Sequence, residues 1–246
     1  MILLYIIGAL LALLLLCILF LGICCLFINP EKEYEKNSSF YRFLLNSAAA
    51  TAMKLCRIRV HISGTRKIPK DTSVLFVSNH RSNFDPIITW YTLKKWDIAF
   101  VSKPENFKIP FFGRIIRKCC FLPIDRKNPR KAMATINRAA ALLQKQEVSI
   151  GVYPEGTRSK TCQLLSFHNG VFKIAQKADV PVVVLSITGT ERIAKRIPFH
   201  ATDVYLDVLE VFPNIQEMKT EQVGAAVRRL IETNTEKRDS AWQKDM

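Results

Sequence analysis

Charged side chains are absent from the first thirty residues of this 246-residue chain. The run from Met1 to Pro30 is dominated by Leu and Ile, and roughly 20 apolar helical residues are enough to cross a bilayer core. A secretory signal peptide has a basic residue before an apolar run of only about 7 to 15 residues, and a core helix rarely stays uncharged for so long. The sequence therefore predicts a retained membrane helix over residues 1–29.

Positive charge follows this helix, at Lys32, Lys36 and Arg42, and none precedes it. The positive-inside rule places such a flank, and the chain beyond it, in the cytoplasm. We therefore expect the protein in the cell membrane, with its main domain on the cytoplasmic face.

None of the seven cysteines belongs to a Cys-x-x-Cys pair. That spacing is typical of zinc sites, and even numbers of cysteines in short secreted chains are typical of disulfide frameworks, so both are disfavoured. The cysteines fit a reducing cytosol. Cys162 stays open as a thiol nucleophile, although free cysteine is usually a small buried hydrophobe. We expect no metal site and no cofactor.

The net charge is +15, and every charged side chain lies beyond the apolar helix. Nucleic-acid binding is one use of such charge, but the chain has no RNP-type aromatic motif, zinc-finger spacing or helix-turn-helix pattern. A basic domain tethered to a membrane is attracted to anionic lipid and to phosphate-bearing substrates. We expect membrane lipids as partners and no nucleic acid.

Residues 30–57 contain a second helical pattern, in which Phe40, Phe43 and Leu44 recur at near-helical spacing beside basic residues. The pattern fits a juxtamembrane helix at the bilayer interface, and it fits equally an amphipathic helix packed on the following domain.

Residues 58–246 alternate short apolar strands with helical stretches, which is typical of an α/β domain whose mostly parallel sheet is covered by flanking helices. The predicted strands are Ile58–Ser63, Val74–Ser78, Ile98–Ser102, Phe121–Ile124, Ser149–Tyr153, Val182–Ile187 and Val204–Phe212. The predicted helices are Pro86–Lys94, Asn128–Lys145, Gly170–Ala178 and Thr220–Asn234. We expect the polar tail after Glu232 to fray.

The segment VSNHRSNFDPIITW places His80 and Asp85 where a predicted strand gives way to a helix. Asp85 before Pro86 is a helix-start signature, with the aspartate capping the helix. The short loop can fold this carboxylate back toward the imidazole, which would fix the tautomer and stabilise the imidazolium. The pair predicts a general base and its orienting carboxylate. Taken alone, it also fits a structural histidine and a simple cap.

Basic residues follow three further predicted strands: Lys103 in VSKPENFKIPFFG, Arg126 at the end of FLPIDR, and Arg158 in VYPEGTRS. In the last motif Gly156 allows a tight turn, Glu155 can hold a hydroxyl or orient the arginine, and the arginine offers a planar fork for phosphate. Reactive groups gather at the carboxyl ends of strands in an open α/β sheet. We therefore expect these residues and the histidine at one edge.

Four segments in order, namely Asn79-His80-x-x-x-x-Asp85, Phe121 to Arg126, YPEGTRS from Tyr153, and Val180-Pro181-Val182, resemble the motif blocks of the glycerolipid acyltransferase family. Within that family the chain is most similar to the bacterial 1-acylglycerol-3-phosphate (lysophosphatidate) acyltransferases. The match covers residues 74–185, and the joint order and spacing are more specific than any single block.

The resemblance implies transfer of a fatty acyl group from an acyl-CoA or acyl-carrier-protein thioester to the free hydroxyl of lysophosphatidate, giving phosphatidate in phospholipid synthesis. It implies that His80 deprotonates that hydroxyl and that Asp85 orients His80. It also implies acceptor binding by four residues, with a fifth as a further phosphate ligand: Arg126, Glu155, Gly156, Arg158 and Lys103. A thioester is already activated, so an oriented base suffices without a metal or a covalent enzyme intermediate.

Three positions depart from the family's usual pattern: Cys120 where glycine is common, His168 where lysine is frequent, and Val184 where a second proline often stands. They bear on substrate choice and local backbone shape. Another lysophospholipid or glycerol-3-phosphate therefore stays open as the acceptor. A lipid or thioester hydrolase and a non-catalytic lipid-binding module also stay open, although the chain has no Gly-x-Ser-x-Gly nucleophile motif.

Overall fold

A computed structural model describes residues 1–244 of the chain. The α-helices within these residues are α1 (Ile2–Leu26), α2 (Ser39–Leu55), α3 (Phe84–Thr92), α4 (Phe112–Lys118), α5 (Pro129–Gln144), α6 (Lys173–Ala178), α7 (Ile193–Arg196) and α8 (Thr220–Lys244). The strands are β1 (Ile58–Ser63), β2 (Leu75–Ser78), β3 (Ile98–Ser102), β4 (Leu122–Pro123), β5 (Ser149–Val152), β6 (Val182–Thr188) and β7 (Thr202–Phe212). Short 3₁₀ turns occupy Thr65–Lys67, Lys94–Trp96, Pro104–Lys108, Asn169–Phe172 and Thr190–Arg192.

These strands form one sheet in the order β1-β7-β6-β2-β5-β3-β4. The five neighbours from β6 to β4 are parallel. Strand β7 pairs with β6 antiparallel, and β1 pairs with β7 parallel. The predicted α/β class with a mostly parallel sheet is confirmed. The carboxyl ends of the five parallel strands meet along one edge, which we call the carboxyl edge.

Helices cover both faces of the sheet, because the central strands are apolar on both sides. In and next to β2, Leu75 and Val77 join a core with α5, α6 and α8, whereas Val74 and Phe76 join a second core with α2, α3 and α4. All four side chains are buried. The predicted strands agree with the observed ones to within two residues at each end, and β4 is the shortest because only Leu122–Pro123 pair with β3.

Helix α3 begins differently from the prediction. Its first residue is Phe84, and Asn83 occupies the cap position. Asp85 therefore lies inside the first turn, and its carboxylate accepts hydrogen bonds from the loop before the helix. The prediction that Asp85 caps this helix is wrong, because the loop donors compete successfully for the carboxylate.

Helix α8 continues to Lys244, so the prediction of a frayed tail after Glu232 is also wrong. Two ion pairs hold the end of the helix on the domain. Arg238 makes two hydrogen bonds to Asp207 of β7, at 2.7 and 2.9 Å. The next residue, Asp239, makes two to Arg81, at 2.8 and 3.0 Å. Polar composition alone predicts fraying only when no such tertiary partner exists.

Helix α1 is long and apolar enough to cross a membrane by length and composition. Its last turn packs on the domain. The Tyr41 hydroxyl donates to the Cys24 carbonyl at 2.8 Å, and Arg114 donates to the Cys25 carbonyl at 2.9 Å. The α1 helix is therefore joined to the domain by direct contacts rather than by a free linker.

Helix α2, within the segment predicted to be helical at residues 30–57, has two different sides. Tyr41, Arg42 and Met53 are buried against the domain, while Phe40 and Phe43 remain exposed. The helix thus packs on the domain and still presents aromatic side chains outward.

Candidate active site

The loop from β2 to α3 brings His80 and Asp85 together at the carboxyl edge. The distance between His80 Nδ1 and Asp85 Oδ2 is 2.8 Å. Because the carboxylate can only accept, Nδ1 carries the proton and Nε2 keeps its lone pair. The side chain of His80 is 17% exposed, whereas that of Asp85 is fully buried. His80 is therefore the accessible member of the pair.

The Asp85 carboxylate is surrounded by hydrogen-bond donors. Besides His80, Oδ2 accepts the backbone N–H groups of Arg81 and Ser82, each at 2.7 Å. Oδ1 accepts the Thr190 hydroxyl at 2.5 Å. Such donors replace the water that an ionised carboxylate loses on burial. The arrangement fixes which oxygen the imidazole meets.

The His80 ring lies on an aromatic stack. The Tyr153 ring is parallel to the imidazole to within 20°, with ring centroids 4.4 Å apart. The Tyr153 ring also stacks on the ring of Phe100, with a centroid distance of 5.7 Å. Burial holds the pKa of the Tyr153 phenol well above its usual range, so the ring stays neutral. The stacked Tyr153 ring restricts rotation of the imidazole.

The Glu155 carboxylate holds the backbone of the same loop through hydrogen bonds. Its Oε1 accepts the backbone N–H of His80 at 2.7 Å, and its Oε2 accepts the N–H of Leu165 at 2.9 Å. The residue is 3% exposed, and burial raises the pKa of its carboxyl group although the two N–H donors oppose that rise. Both oxygens are occupied by backbone, so this geometry does not favour the acceptor-binding role implied for Glu155, which stays a prediction.

Arg126 and Gly156 meet at a small cavity beside the dyad. A Cβ atom added at Gly156 would lie 2.9 Å from the His168 ring and 3.5 Å from the Arg126 guanidinium carbon, and the backbone φ of Gly156 is +71°. Glycine is therefore required here by the positive φ and by the close approach of the His168 ring and the Arg126 guanidinium.

The cavity itself has a volume of about 50 Å³ and combines Arg126, Gly156 and His168 with apolar residues. The apolar lining consists of Val101, Ile124, Val152, Tyr153, Pro154 and Val171. Ligand pockets typically hold roughly 300 to 1,000 Å³. The cavity can therefore enclose only a headgroup-sized part of a lipid. His168, noted above only as a departure from the family's pattern, belongs to the site.

Lys103 and Arg158 lie at the carboxyl edge but remain exposed. Lys103 caps the 3₁₀ turn Pro104–Lys108 after β3, and Arg158 follows the turn at Gly156. The structure thus brings Arg126 and Gly156 into direct proximity, whereas Lys103 and Arg158 are surface cations that do not line the cavity.

The thiol of Cys162 does not have the character of a nucleophile. It is partly buried, and burial raises its pKa, with the nearby Glu191 carboxylate acting in the same direction. A raised pKa lowers the thiolate fraction at neutral pH. Within residues 1–244, no three His, Cys, Asp or Glu side chains form a group suited to a metal ion.

A larger cleft, of about 240 Å³, opens at the opposite edge of the sheet. It is lined by residues that precede β2, β3 and β5, among them Lys70, Asp97 and Glu147. Neither the dyad nor Tyr153 lines this cleft, whereas the smaller cavity is lined by Tyr153, whose ring stacks on His80. Size alone therefore does not locate the reactive groups, and the smaller cavity is the better candidate.

Three site residues were not found from the sequence. Thr190 acts on Asp85 only because β6 lies beside β2, and Tyr153 reaches His80 only because β5 is the other neighbour of β2. Asp239 contacts Arg81 although 158 positions separate the two residues in the chain. Strand order is not encoded in any local pattern, so no sequence signal identified them.

The candidate active site thus consists of an oriented imidazole at the carboxyl edge of an α/β sheet and an adjacent YPEGTRS turn. The family model described as Acyltransferase matches residues 59–188, more than half of the chain. That segment runs from β1 to the end of β6 and includes the dyad, Arg126 and Glu155. The chain belongs to this acyltransferase family.

Individual relatives are similar over the same region. The chain is 38% identical over 136 residues to the chloroplastic 1-acyl-sn-glycerol-3-phosphate acyltransferase LPAT1 of Arabidopsis thaliana, covering 55% of this chain and 37% of that protein. It is 30% identical over 165 residues to the 1-acyl-sn-glycerol-3-phosphate acyltransferase of Salmonella typhimurium, covering 65% and 66%. The chain thus spans less than two thirds of the length of these relatives.

A solved structure is also similar. The 1-acyl-sn-glycerophosphate (LPA) acyltransferase PlsC from Thermotoga maritima superposes with a TM-score of 0.67 at 27% sequence identity, over 80% of this chain and 79% of that one. The likeness therefore extends beyond the segment matched by the family model.

Proposed function

We propose that this protein transfers a fatty acyl group from a thioester to the free hydroxyl of lysophosphatidate, forming phosphatidate. The observation that carries the proposal is the accessible His80 held by the buried Asp85, beside a cavity with Arg126 in its lining. The relatives named for this reaction support the choice of substrate class.

In the proposed reaction, His80 Nε2 takes the proton of the acceptor hydroxyl while that oxygen attacks the thioester carbonyl. The tetrahedral intermediate then expels the thiolate, which recovers the proton from the imidazolium, so the histidine ends neutral. Asp85 stabilises the imidazolium between these two steps. General-base catalysis of this kind contributes about 10² to 10⁴ in rate.

The phosphate of the acceptor is assigned to the Arg126 side of the cavity, with Lys103 and Arg158 as outer cations. Arginine presents several N–H donors in a planar fork, and charge-assisted hydrogen bonds to phosphate are among the strongest in proteins. Because the small cavity can hold only a headgroup, we propose that the acyl chains remain outside it, in lipid.

The donor is proposed to be a fatty acyl thioester of coenzyme A or of acyl-carrier protein, with no further cofactor. A thioester is already activated toward an oriented hydroxyl, so positioning and a base account for the reaction. Supplying both donors in parallel decides between them.

Helix α1 is proposed to anchor the enzyme in the cell membrane, with the α/β domain on the cytoplasmic face and α2 at the interface. The basic flank at Lys32 and Lys36 and the outward Phe40 and Phe43 support that orientation. A truncation should remove residues 1–20 only, because the Cys24 and Cys25 carbonyls accept hydrogen bonds from the domain. The truncated protein is expected to shift from the membrane to the soluble fraction after lysis.

The decisive experiment follows a radiolabelled acyl chain into its products. Purified parent protein in detergent receives labelled palmitoyl-CoA, or the carrier-protein thioester, with lysophosphatidate, glycerol-3-phosphate or lysophosphatidylcholine in parallel. The expected result is label in the acylated acceptor, with phosphatidate from lysophosphatidate formed faster than the acylated product of either other acceptor. Label recovered only as free fatty acid would establish a hydrolase, and unreacted donor in every arm would leave a lipid-binding protein.

A further inference from the structure

Arg81 is a buried cation within the catalytic loop. Its side chain is 3% exposed, and its two terminal nitrogens donate to the two oxygens of Asp239 at 3.0 and 2.8 Å. Burial by itself would lower the pKa of Arg81, but the hydrogen bonds and charge of Asp239 outweigh burial and raise it. The guanidinium is thus charged and held in one orientation.

The backbone of Arg81 contacts the dyad directly. Its N–H donates to Asp85 Oδ2 at 2.7 Å, the same oxygen that meets His80 Nδ1. Arg81 also follows His80 directly in the chain. The contact of the guanidinium with Asp239 anchors Arg81 at a second point, and a shift of the Arg81 backbone would move a donor to Asp85 together with the adjoining His80.

Helix α8 is docked by further contacts besides the Arg81–Asp239 pair. Val223, Val227 and Ile231 of that helix are fully buried in the core, and Arg238 already binds Asp207 with two hydrogen bonds. A buried ion pair is in general weak evidence for added stability. The pair is thus available for a role in orientation.

We propose that Asp239, on α8, is a positioning residue for acyl transfer, which acts through Arg81 to hold the His80–Asp85 pair in its reactive geometry. This inference rests on the proposed function of His80 as the base. Asp239 lies outside the segment 59–188 that the family model matches, so the C-terminal helix adds a contact to a site whose dyad and cavity lining belong to that segment.

The test compares neighbouring residues of one helix. Asp239→Asn removes the charge that holds Arg81, while the control Arg238→Gln removes the neighbouring ion pair of α8 and leaves Arg81 untouched. Each variant is purified in full length and measured for Tm, kcat and the KM of acceptor and donor. Since small misplacements of catalytic groups cost up to about 10² in rate, we expect Asp239→Asn to lower kcat by tenfold or more with both KM values unchanged.

The control is expected to lower Tm while keeping the kcat of the parent. Asp239→Glu, which retains a carboxylate, is expected to recover most of kcat. Equal losses of kcat in Asp239→Asn and Arg238→Gln would show that α8 acts only as a structural support and would overturn the proposal. A parent-like kcat in Asp239→Asn, or a change confined to KM, would overturn it as well.

A second readout separates this inference from the proposed reaction. If the parent forms no phosphatidate, the proposed function fails by itself, and the orientation of His80 is then measured by its rate of acylation with diethyl pyrocarbonate, resolved by mass spectrometry. A rate changed in Asp239→Asn and unchanged in Arg238→Gln supports positioning by Asp239. Identical rates in the three proteins would refute it.

Discussion

The hydrogen bond from Thr190 to Asp85 offers the sharpest test of how the dyad is oriented. Thr190→Val replaces the hydroxyl by a methyl group of similar shape and keeps the β-branch. Asp85 Oδ1 then loses its donor, at a contact of 2.5 Å, in a position with no access to water. The carboxylate is then held through Oδ2 alone, so its orientation toward His80 is less constrained.

The expected magnitude follows from the type of bond. A hydrogen bond to a charged group contributes about 1.5 to 3 kcal/mol, and about 1.36 kcal/mol corresponds to a factor of ten in rate. If this hydrogen-bond free energy is lost from the stabilisation of the transition state, kcat decreases by about tenfold to a hundredfold. The KM of the acceptor should stay unchanged, because Thr190 does not line the cavity at Arg126.

A matched control lies two residues earlier. The Thr188 hydroxyl is equally buried but has no hydrogen-bond partner among the described residues. Thr188→Val should therefore keep the kcat and Tm of the parent, and Thr190→Ser should retain most of the rate. Steady-state kinetics of the three variants measure this directly. A kcat in Thr190→Val equal to that of Thr188→Val would refute the role of Thr190.

Three further predictions concern other groups around His80. Tyr153→Phe should keep the parent's kcat, whereas Tyr153→Ala should lower kcat about tenfold. Aromatic stacking contributes about 0.5 to 1.5 kcal/mol, and the cavity left by the alanine substitution lets the imidazole rotate. Equal kcat values in the two variants would contradict this. Glu155→Gln should lower Tm, because its amide N–H₂ must face the N–H of His80 or Leu165 at a cost of about 1 to 3 kcal/mol, and an unchanged Tm in a melting experiment would speak against this role of Glu155. Arg126→Gln should raise the KM for lysophosphatidate by about tenfold or more, and an unaltered KM would remove Arg126 from the phosphate site.

The strands and most helices were predictable because their signals are local, whereas the short helices α4 and α7 were not predicted. The strands at residues 98–102 and 149–152 are short runs of apolar residues, and β-strands buried on both faces have that composition. The loop with His80 and Asp85 was predictable for the same reason, since six consecutive residues contain both members of the pair and the loop between them.

The partners of the dyad were not predictable because they depend on strand order and on long-range ion pairs. Thr190 meets Asp85 and Tyr153 meets His80 only when β6 and β5 lie on either side of β2. The length of α8 was underestimated because its polar last turns are held by Asp207 and Arg81, which are distant in sequence. Composition shows that a segment is polar, but it does not show that the folded domain places an oppositely charged side chain beside it.

The most direct test of His80 as the base is the initial rate of phosphatidate formation by the parent and by His80→Gln, measured in the same detergent with saturating lysophosphatidate and palmitoyl thioester. Binding of lysophosphatidate to both proteins is measured alongside, so that a folded, substrate-binding variant is assured. We predict a rate at least about 10² lower in His80→Gln, with binding retained. Equal rates in the two proteins would show that the proton of the acceptor is removed by another group.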